Sequence, residues 1–387
     1  MNFKLDNRMF WTLIAATAVC CATLLTGCKS NTPPESISSI KIGEYGSLTG
    51  ATATYGQSTK NGIALATSET NKKGGVLGKP VVIDLQDDGG RADQATIAVQ
   101  KLLADNVVAV LGEVASSNSL AAAPLCQSHN IPMVSPSSTN PAVTQVGDYI
   151  FRTCFIDPFQ GTVCARFAAN HLHAKTAAIF TDIKSDYSIG LTKYFVDEFS
   201  KQGKIVDQES FSEGDGDFRS QLTRIKATKP DVIFIPGYYT EVGNIAVQAR
   251  SLGIKQPLMG GDGWGSPKLV EIGKDAVQNG YFSTHFSPGS NDPRVVNFVA
   301  AYKKRFNGET PDALAAVAYD AANLLYAAID RAGSTDGAKI RDALAATEDF
   351  PGVTGNITID KDRNAVKPAV ILQVKGKAFE YVNTVQP

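Results

Sequence analysis

Two hydrophobic periods take turns along most of this chain. Short β-branched runs predict buried strands: Ile40-Lys-Ile-Gly, Val81-Val-Ile-Asp-Leu, Val108 to Leu111, Ile131 to Val134, Ala177-Ala-Ile-Phe and Asp231-Val-Ile-Phe-Ile. Between them, apolar residues recur at helical spacing. Ala95, Val99, Leu102 and Leu103 share one face; so do Leu191, Tyr194, Phe195 and Phe199, and again Phe218, Leu222 and Ile225. Thr59 to Thr70 and Glu241 to Ser251 read as two more helices. Strand–helix alternation of this length means α/β architecture, with parallel sheets covered by helices on both faces. Two series of comparable size are expected, the second starting at Tyr149-Ile-Phe-Arg. After His285 the pattern changes. Pro293 to Arg305, Ala313 to Arg331 and Ala338 to Ala346 predict three helices in a row, followed by a strand at Gly355-Asn-Ile-Thr-Ile-Asp. The chain then closes with an antiparallel pair, Val370-Ile-Leu-Gln-Val and Ala378-Phe-Glu-Tyr-Val, turning at Lys375-Gly376-Lys377.

At 387 residues and 43% hydrophobic content the chain exceeds what one core usually supports, so two domains are expected. A net charge of −1 with no basic block argues against nucleic acid as a partner. Lys4 and Arg8 precede an apolar run from Met9 to Leu25, and Leu25-Thr26-Gly27-Cys28 resembles the bacterial lipoprotein cleavage box. A transmembrane helix is the competing reading. The small residues before Cys28 and the polar tract Lys29 to Ser39 favour cleavage, with residues 1–27 as signal, lipid on Cys28 and 28–39 as a flexible tether. That places the protein in the periplasm or on the extracytoplasmic face, anchored to a membrane. Cys20 and Cys21 leave with the signal; Cys126, Cys154 and Cys164 remain, with a Cys154–Cys164 disulfide and buried free thiols both open.

The chemistry concentrates between Val108 and Pro141. One strand ends in Glu113-Val-Ala-Ser116-Ser117-Asn118-Ser119 and its neighbour in Ser135-Pro-Ser137-Ser138-Thr139-Asn140-Pro141. In an open α/β sheet, ligands sit beyond the carboxyl ends of the strands, where free N–H groups and the next helix attract an anion. Hydroxyls without the glycines and lysine of a phosphate loop suit a small carboxylate. Either turn alone would serve equally as an ordinary helix cap. Catalytic patterns are missing: there is no G-x-S-x-G elbow, and only four histidines occur. His171-x-His173 lacks a third metal ligand, Glu213-Gly-Asp215-Gly-Asp217 lacks the bidentate Glu of a calcium loop, and Gly43-x-x-Gly46 is not a dinucleotide fingerprint. No enzyme, no cofactor and no metal are expected. Asp217 reads as a cap for the next helix.

Taken with Gly50-Ala-Thr-Ala-Thr-Tyr55-Gly56, Asn71-Lys-Lys-Gly-Gly-Val-Leu-Gly, Asp186-Tyr187, Pro236-Gly-Tyr238 and Gly260-Gly-Asp262-Gly, these turns resemble the branched-chain amino-acid-binding proteins of bacterial ABC transporters. The resemblance covers nearly the whole chain after the signal. It implies the two-lobed periplasmic binding protein type I fold, each lobe a mostly parallel sheet flanked by helices, joined by a hinge of crossing strands. Crossings are expected near Asp157, His285 and Pro351, giving a first lobe of 40–157 with 286–350 and a second of 158–285 with 351–387. The implied ligand is leucine, isoleucine or valine, or a similar apolar amino acid. Ser116, Ser137 and Thr139 would take its carboxylate, and Asp262, where most members carry Glu, its ammonium. Tyr55, Tyr187 and Tyr238 match the family's tyrosines, Val114 and Leu314 would line the side-chain pocket, and Trp264 would add a wall. The implied partners are a membrane permease and the membrane itself through Cys28, for a monomer that closes on its ligand. A ligand sensor controlling a regulatory partner is the alternative. The family's disulfide would need cysteines near Gly90 and Ala115, and neither is present.

Overall fold

The computed structural model describes residues 39–387. The signal, most of the tether and Cys28 lie outside the described residues. The first series runs β1 (Ile40–Gly46), α1 (Ala53–Lys72), β2 (Val81–Asp87), α2 (Ala92–Ala104), β3 (Val110–Leu111), α3 (Ser116–Ser128), β4 (Met133–Ser135), α4 (Ala142–Gln145) and β5 (Ile150–Arg152). Its strands form one parallel sheet in the order β2-β1-β3-β4-β5. Tyr149-Ile-Phe-Arg therefore closes the first series instead of opening the second. Its β-branched and aromatic run pairs Ile150 with Met133, and neither periodicity nor composition tells a last strand from a first.

The second series follows with α5 (Asp157–Asn170), β6 (Thr176–Asp182), α6 (Asp186–Phe199), β7 (Lys204–Phe211), α7 (Arg219–Thr228), β8 (Val232–Phe234), α8 (Tyr239–Ser251), β9 (Leu258–Gly260), α9 (Pro267–Gly273) and β10 (Tyr281–Thr284). Three helices then return to the first lobe: α10 (Pro293–Arg305), α11 (Ala313–Ala332) and α12 (Gly337–Ala345). Asp292, Asp312 and Asp336 start them by accepting bonds from Arg294 N, Ala315 N and Lys339 N, the side-chain caps that orphan helix N–H groups require. A small antiparallel sheet of β11 (Phe350–Gly352), β12 (Gly355–Ile359) and β13 (Ala365–Val366) comes next, then the hairpin β14 (Ala369–Lys375) and β15 (Ala378–Val385). The hairpin adds antiparallel strands to the second sheet, whose order is β15-β14-β10-β9-β8-β6-β7.

Three crossings join the lobes. The first is the stretch between β5 and α5, and the second is at His285, between β10 and Phe286. Phe286 packs with Val295 and Phe298 on the first-lobe side. The third lies later than the expected Pro351. Ile357, Ile359 and Ala365 are buried in the first-lobe core with Leu111, Val134 and Leu325, whereas Ala369 and Ile371 belong to the second. Residues 351–366 thus stay with the first lobe, and the chain crosses at Lys367 and Pro368. The apolar faces of β12 and β13 decide this, because they complete a core already made by α11 and α12. At the heart of the first lobe α1 and α11 lie unusually close: a Cβ on Gly62 would stand 2.1 Å from the Ala315 carbonyl oxygen.

Candidate ligand-binding site

In each sheet the strand order reverses, between β1 and β3 in one and between β6 and β8 in the other. Loops leaving such switch points diverge and leave a crevice. The two crevices face each other across one narrow cavity. The first lobe supplies Tyr55 from α1, Val114 and Ser137 from beyond β3 and β4, and Leu314 from the start of α11. Tyr187 on α6, Tyr238 beyond β8, and Asp262 with Gly263 beyond β9 come from the second.

The cavity has a polar end and an apolar end. At the polar end Asp262 is 7% exposed. Its Oδ1 accepts from Gln160 Nε2 at 2.8 Å, and its Oδ2 lies 3.1 Å from His285 Nε2 and 3.4 Å from Ser137 Oγ. The Gly263 N–H donates to the Tyr187 hydroxyl at 3.2 Å, fixing the turn to α6. At the apolar end Tyr187 and Tyr238 stack with ring centres 5.5 Å apart, and Tyr55 meets Tyr238 edge-on at 5.6 Å. Val114 and Leu314 complete that wall.

Bonds between the lobes surround the cavity. The Tyr55 hydroxyl donates to the Gly263 carbonyl. Thr54 Oγ1 and Ser266 Oγ are 2.9 Å apart, Thr240 Oγ1 donates to the Ala51 carbonyl at 2.8 Å, and Ser117 Oγ donates to Asp186 at 2.8 Å. Asn140 Nδ2 adds a bond to the Asp186 carbonyl at 2.7 Å. Desolvation raises the pKa of Tyr55, Tyr187 and Tyr238 well above the phenol's ordinary value. All three remain neutral donors.

Of the expected site residues, Tyr55, Val114, Ser137, Tyr187, Tyr238, Asp262 and Leu314 share this cavity. Ser116 and Thr139 stand behind it. Ser116 Oγ accepts the Asn140 N–H at 3.2 Å, which leaves its own proton free to donate. Thr139 Oγ1 and both oxygens of Asp157 are buried without a hydrogen bond of ordinary geometry. Burial pushes the Asp157 carboxyl up to about 8, the nearby Thr139 hydroxyl pulling it back and Asp262 adding to the rise. Trp264 is not a wall. It is fully buried in the second-lobe core, where its indole N–H donates to the Ile235 carbonyl at 2.9 Å. An indole carries one donor and a large apolar body, so a core offering one carbonyl lone pair suits it better than a wet cleft.

Gln160 is not expected at the site from the sequence, and Asp157 and His285 are expected only as crossings, not as site residues. Each lies on or beside a crossing, far in sequence from the turns that signal the cleft; the only hint was a lone acid before Pro158 opening a helix. Cys126, Cys154 and Cys164 are buried free thiols, so no bridge joins Cys154 to Cys164. His171 stacks on Phe167 at 4.4 Å, and no group of three metal-ligating side chains occurs among the described residues. Asp217 does not hold the N-cap of α7, which is Phe218 without a side-chain bond; it stands one residue earlier and accepts the Arg219 N–H at 3.1 Å.

Residues 39–378 match the family model described as periplasmic binding protein. The Leu/Ile/Val-binding protein BraC3 of Rhizobium johnstonii is 34% identical over 82% of this chain and 87% of its own length. Two solved structures are similar throughout. The leucine-binding protein LivK of Thermotoga maritima has a TM-score of 0.87 and 39% identity over 90% of this chain and 99% of its own. LivJ of Streptococcus pneumoniae, solved with isoleucine, has a TM-score of 0.86 and 35% identity over 90% of this chain and 100% of its own.

Proposed function

The chain belongs to the periplasmic binding protein family, and on that premise we propose that it is the extracytoplasmic receptor of an ABC importer, closing its lobes on a branched-chain or similar apolar amino acid. It is a binding protein rather than an enzyme. One observation carries the ligand assignment: a single cavity sets the Asp262 carboxylate and Ser137 hydroxyl against an apolar wall of Val114, Leu314 and stacked tyrosines. An apolar α-amino acid has the same two ends. Asp262 takes the ammonium, and Ser137 with the free donors of Ser116 and Thr139 takes the carboxylate. Tyr55, Val114, Tyr238 and Leu314 hold the side chain.

Closure follows from the split of these groups. The first lobe holds the carboxylate and one side of the side-chain pocket, and the second brings Asp262, Tyr187 and Tyr238. Because the ligand touches Asp262 only when the lobes meet, it stabilises the closed form by that difference in contacts. The closed pair of lobes is the surface a membrane permease reads. Lipid on Cys28 keeps a monomeric receptor at the membrane. Cys28→Ser should move the protein to the soluble fraction, and unchanged membrane retention would count against the anchor.

Titration calorimetry tests the ligand. Leucine, isoleucine and valine should bind, and their oxo acids, lacking the ammonium, should bind far more weakly. Equal affinity for a branched-chain amino acid and its oxo acid would sink the amino-acid assignment.

A further inference from the structure

Asp262 is held by donors from two directions. Gln160 on α5 donates to Oδ1, and the same amide reaches Ser283 Oγ on β10 at 2.9 Å. His285 lies against Oδ2 with Nε2 at 3.1 Å. Phe155, from the first crossing, stacks on that imidazole with ring centres 3.9 Å apart. Thr284 belongs to the second-lobe sheet and Phe286 to the first-lobe core, so His285 is the residue where the chain turns from one body to the other. We propose that His285 is a positioning residue: a neutral Nε2–H donor on the hinge that fixes the Asp262 carboxylate for a ligand ammonium and makes its orientation depend on the angle between the lobes. The proposal rests on Asp262 being the ammonium acceptor.

A neutral imidazole has one N–H and one bare nitrogen. Nε2 faces the Asp262 carboxylate, which can only accept, at 3.1 Å, so the proton belongs there; Ser137 Oγ, 3.4 Å from Nε2, turns its own proton to Asp262 Oδ2. Nδ1 is buried with no partner among the described residues, which suits a lone pair and would strand a proton. The charged groups facing the ring are Asp262 and, from the third crossing, Lys367. Burial holds the imidazole below its ordinary range and Lys367 acts in the same direction, against the pull of Asp262. Neutrality matters to the role, since an imidazolium would neutralise Asp262 and repel the ammonium it should receive. Gln160 sits within one lobe and cannot report the hinge angle. His285 can, because rotation about its own backbone is part of closure.

Leucine titrations of the wild type, His285→Phe, His285→Gln, Asp262→Asn and the double variant His285→Phe/Asp262→Asn test this. Phenylalanine keeps the stack on Phe155 and removes the N–H; affinity should fall about 10- to 100-fold, the range for a lost bond to a charged group. Glutamine restores a donor and should recover most of that loss. With Asp262→Asn already present, His285→Phe should cost less than about 2-fold, because the two residues act through one contact. If Asp262→Asn weakens binding and His285→Phe costs the same in both backgrounds, His285 only packs, and the proposal falls while the ammonium reading stands. If Asp262→Asn leaves leucine affinity unchanged, both fall together. Should His285→Phe not fold, nitrogen-15 spectra of the wild type decide: a protonated Nε2 and bare Nδ1 at neutral pH support the proposal, and the opposite tautomer or an imidazolium overturns it.

Discussion

At the scale of single residues, the site is a contest over one buried charge. A ligand ammonium enclosed without its anion costs several kcal/mol, so Asp262→Asn should lose roughly 3–5 kcal/mol of leucine affinity by calorimetry. Ser137→Ala removes the hydroxyl beside Asp262 that is proposed to meet the ligand carboxylate, and should cost roughly 1–2 kcal/mol. The ranking of the two is the check, and an equal loss would mean the charge lies elsewhere. Much of this was legible beforehand: hydroxyl-rich turns after two strands, and a carboxyl set between glycines, are local in sequence. His285 and Gln160 were not legible. Their role comes from where crossings bring distant segments together, and a histidine after a strand looks the same in sequence whether it stacks, caps or donates. Trp264 misled for a related reason, as two residues from Asp262 is close in sequence but opposite in direction. Buried acids make a second residue-scale prediction. Burial pushes Glu44 and Asp157 up to about 8 and also raises Glu113, which shares its surroundings with Asp88. A carboxyl whose folded pKa lies above its unfolded value contributes stability that is complete below the unfolded pKa and lost as pH rises toward the folded one. Melting temperature should therefore fall from about pH 5 to about pH 8, and Glu44→Gln should flatten the slope.

Secondary-structure elements tell a different story about what sequence reveals. Helices with a strong apolar face and a side-chain cap, such as α10 and α11, were bounded nearly to the residue. Strand partners were not, because β5 and β12 to β13 carry ordinary strand patterns whose allegiance depends on which core has room. Packing between elements sets the sharpest limit at Gly62. A methyl group there would meet the Ala315 carbonyl at 2.1 Å, and neither α1 nor α11 can shift without moving the core behind it. Gly62→Ala should destabilise the protein by roughly 1–3 kcal/mol in a urea melt, the cost of overpacking. Tyr55 lies seven residues from Gly62 along α1, but Leu314 adjoins Ala315 and lines the cavity, so a parting of the helices should weaken ligand binding as well.

On the scale of the whole molecule, a ring of bonds around the cavity joins the two lobes, and on the proposed function the ligand adds to it. Ser117→Ala with Thr240→Val removes two of those bonds without touching the cavity wall. The variant should be more open in solution scattering and bind leucine about 10-fold more weakly, and an unchanged scattering profile would show that the rim bonds do not set the angle. The three crossings carry a further consequence, which concerns the order of synthesis. The sheet of β1 to β5 emerges early, yet α11, α12, β12 and β13, which complete its core, come after nearly all of the second lobe. That lobe in turn waits for β14, the partner that covers β10. A chain stopped before Ala369 keeps a bare strand edge at Tyr281–Thr284, the kind of edge that recruits other chains. Each lobe thus withholds its final state until the other has been made. An unfinished receptor is recognisable as unfinished, and a complete one becomes native only when its last strands arrive.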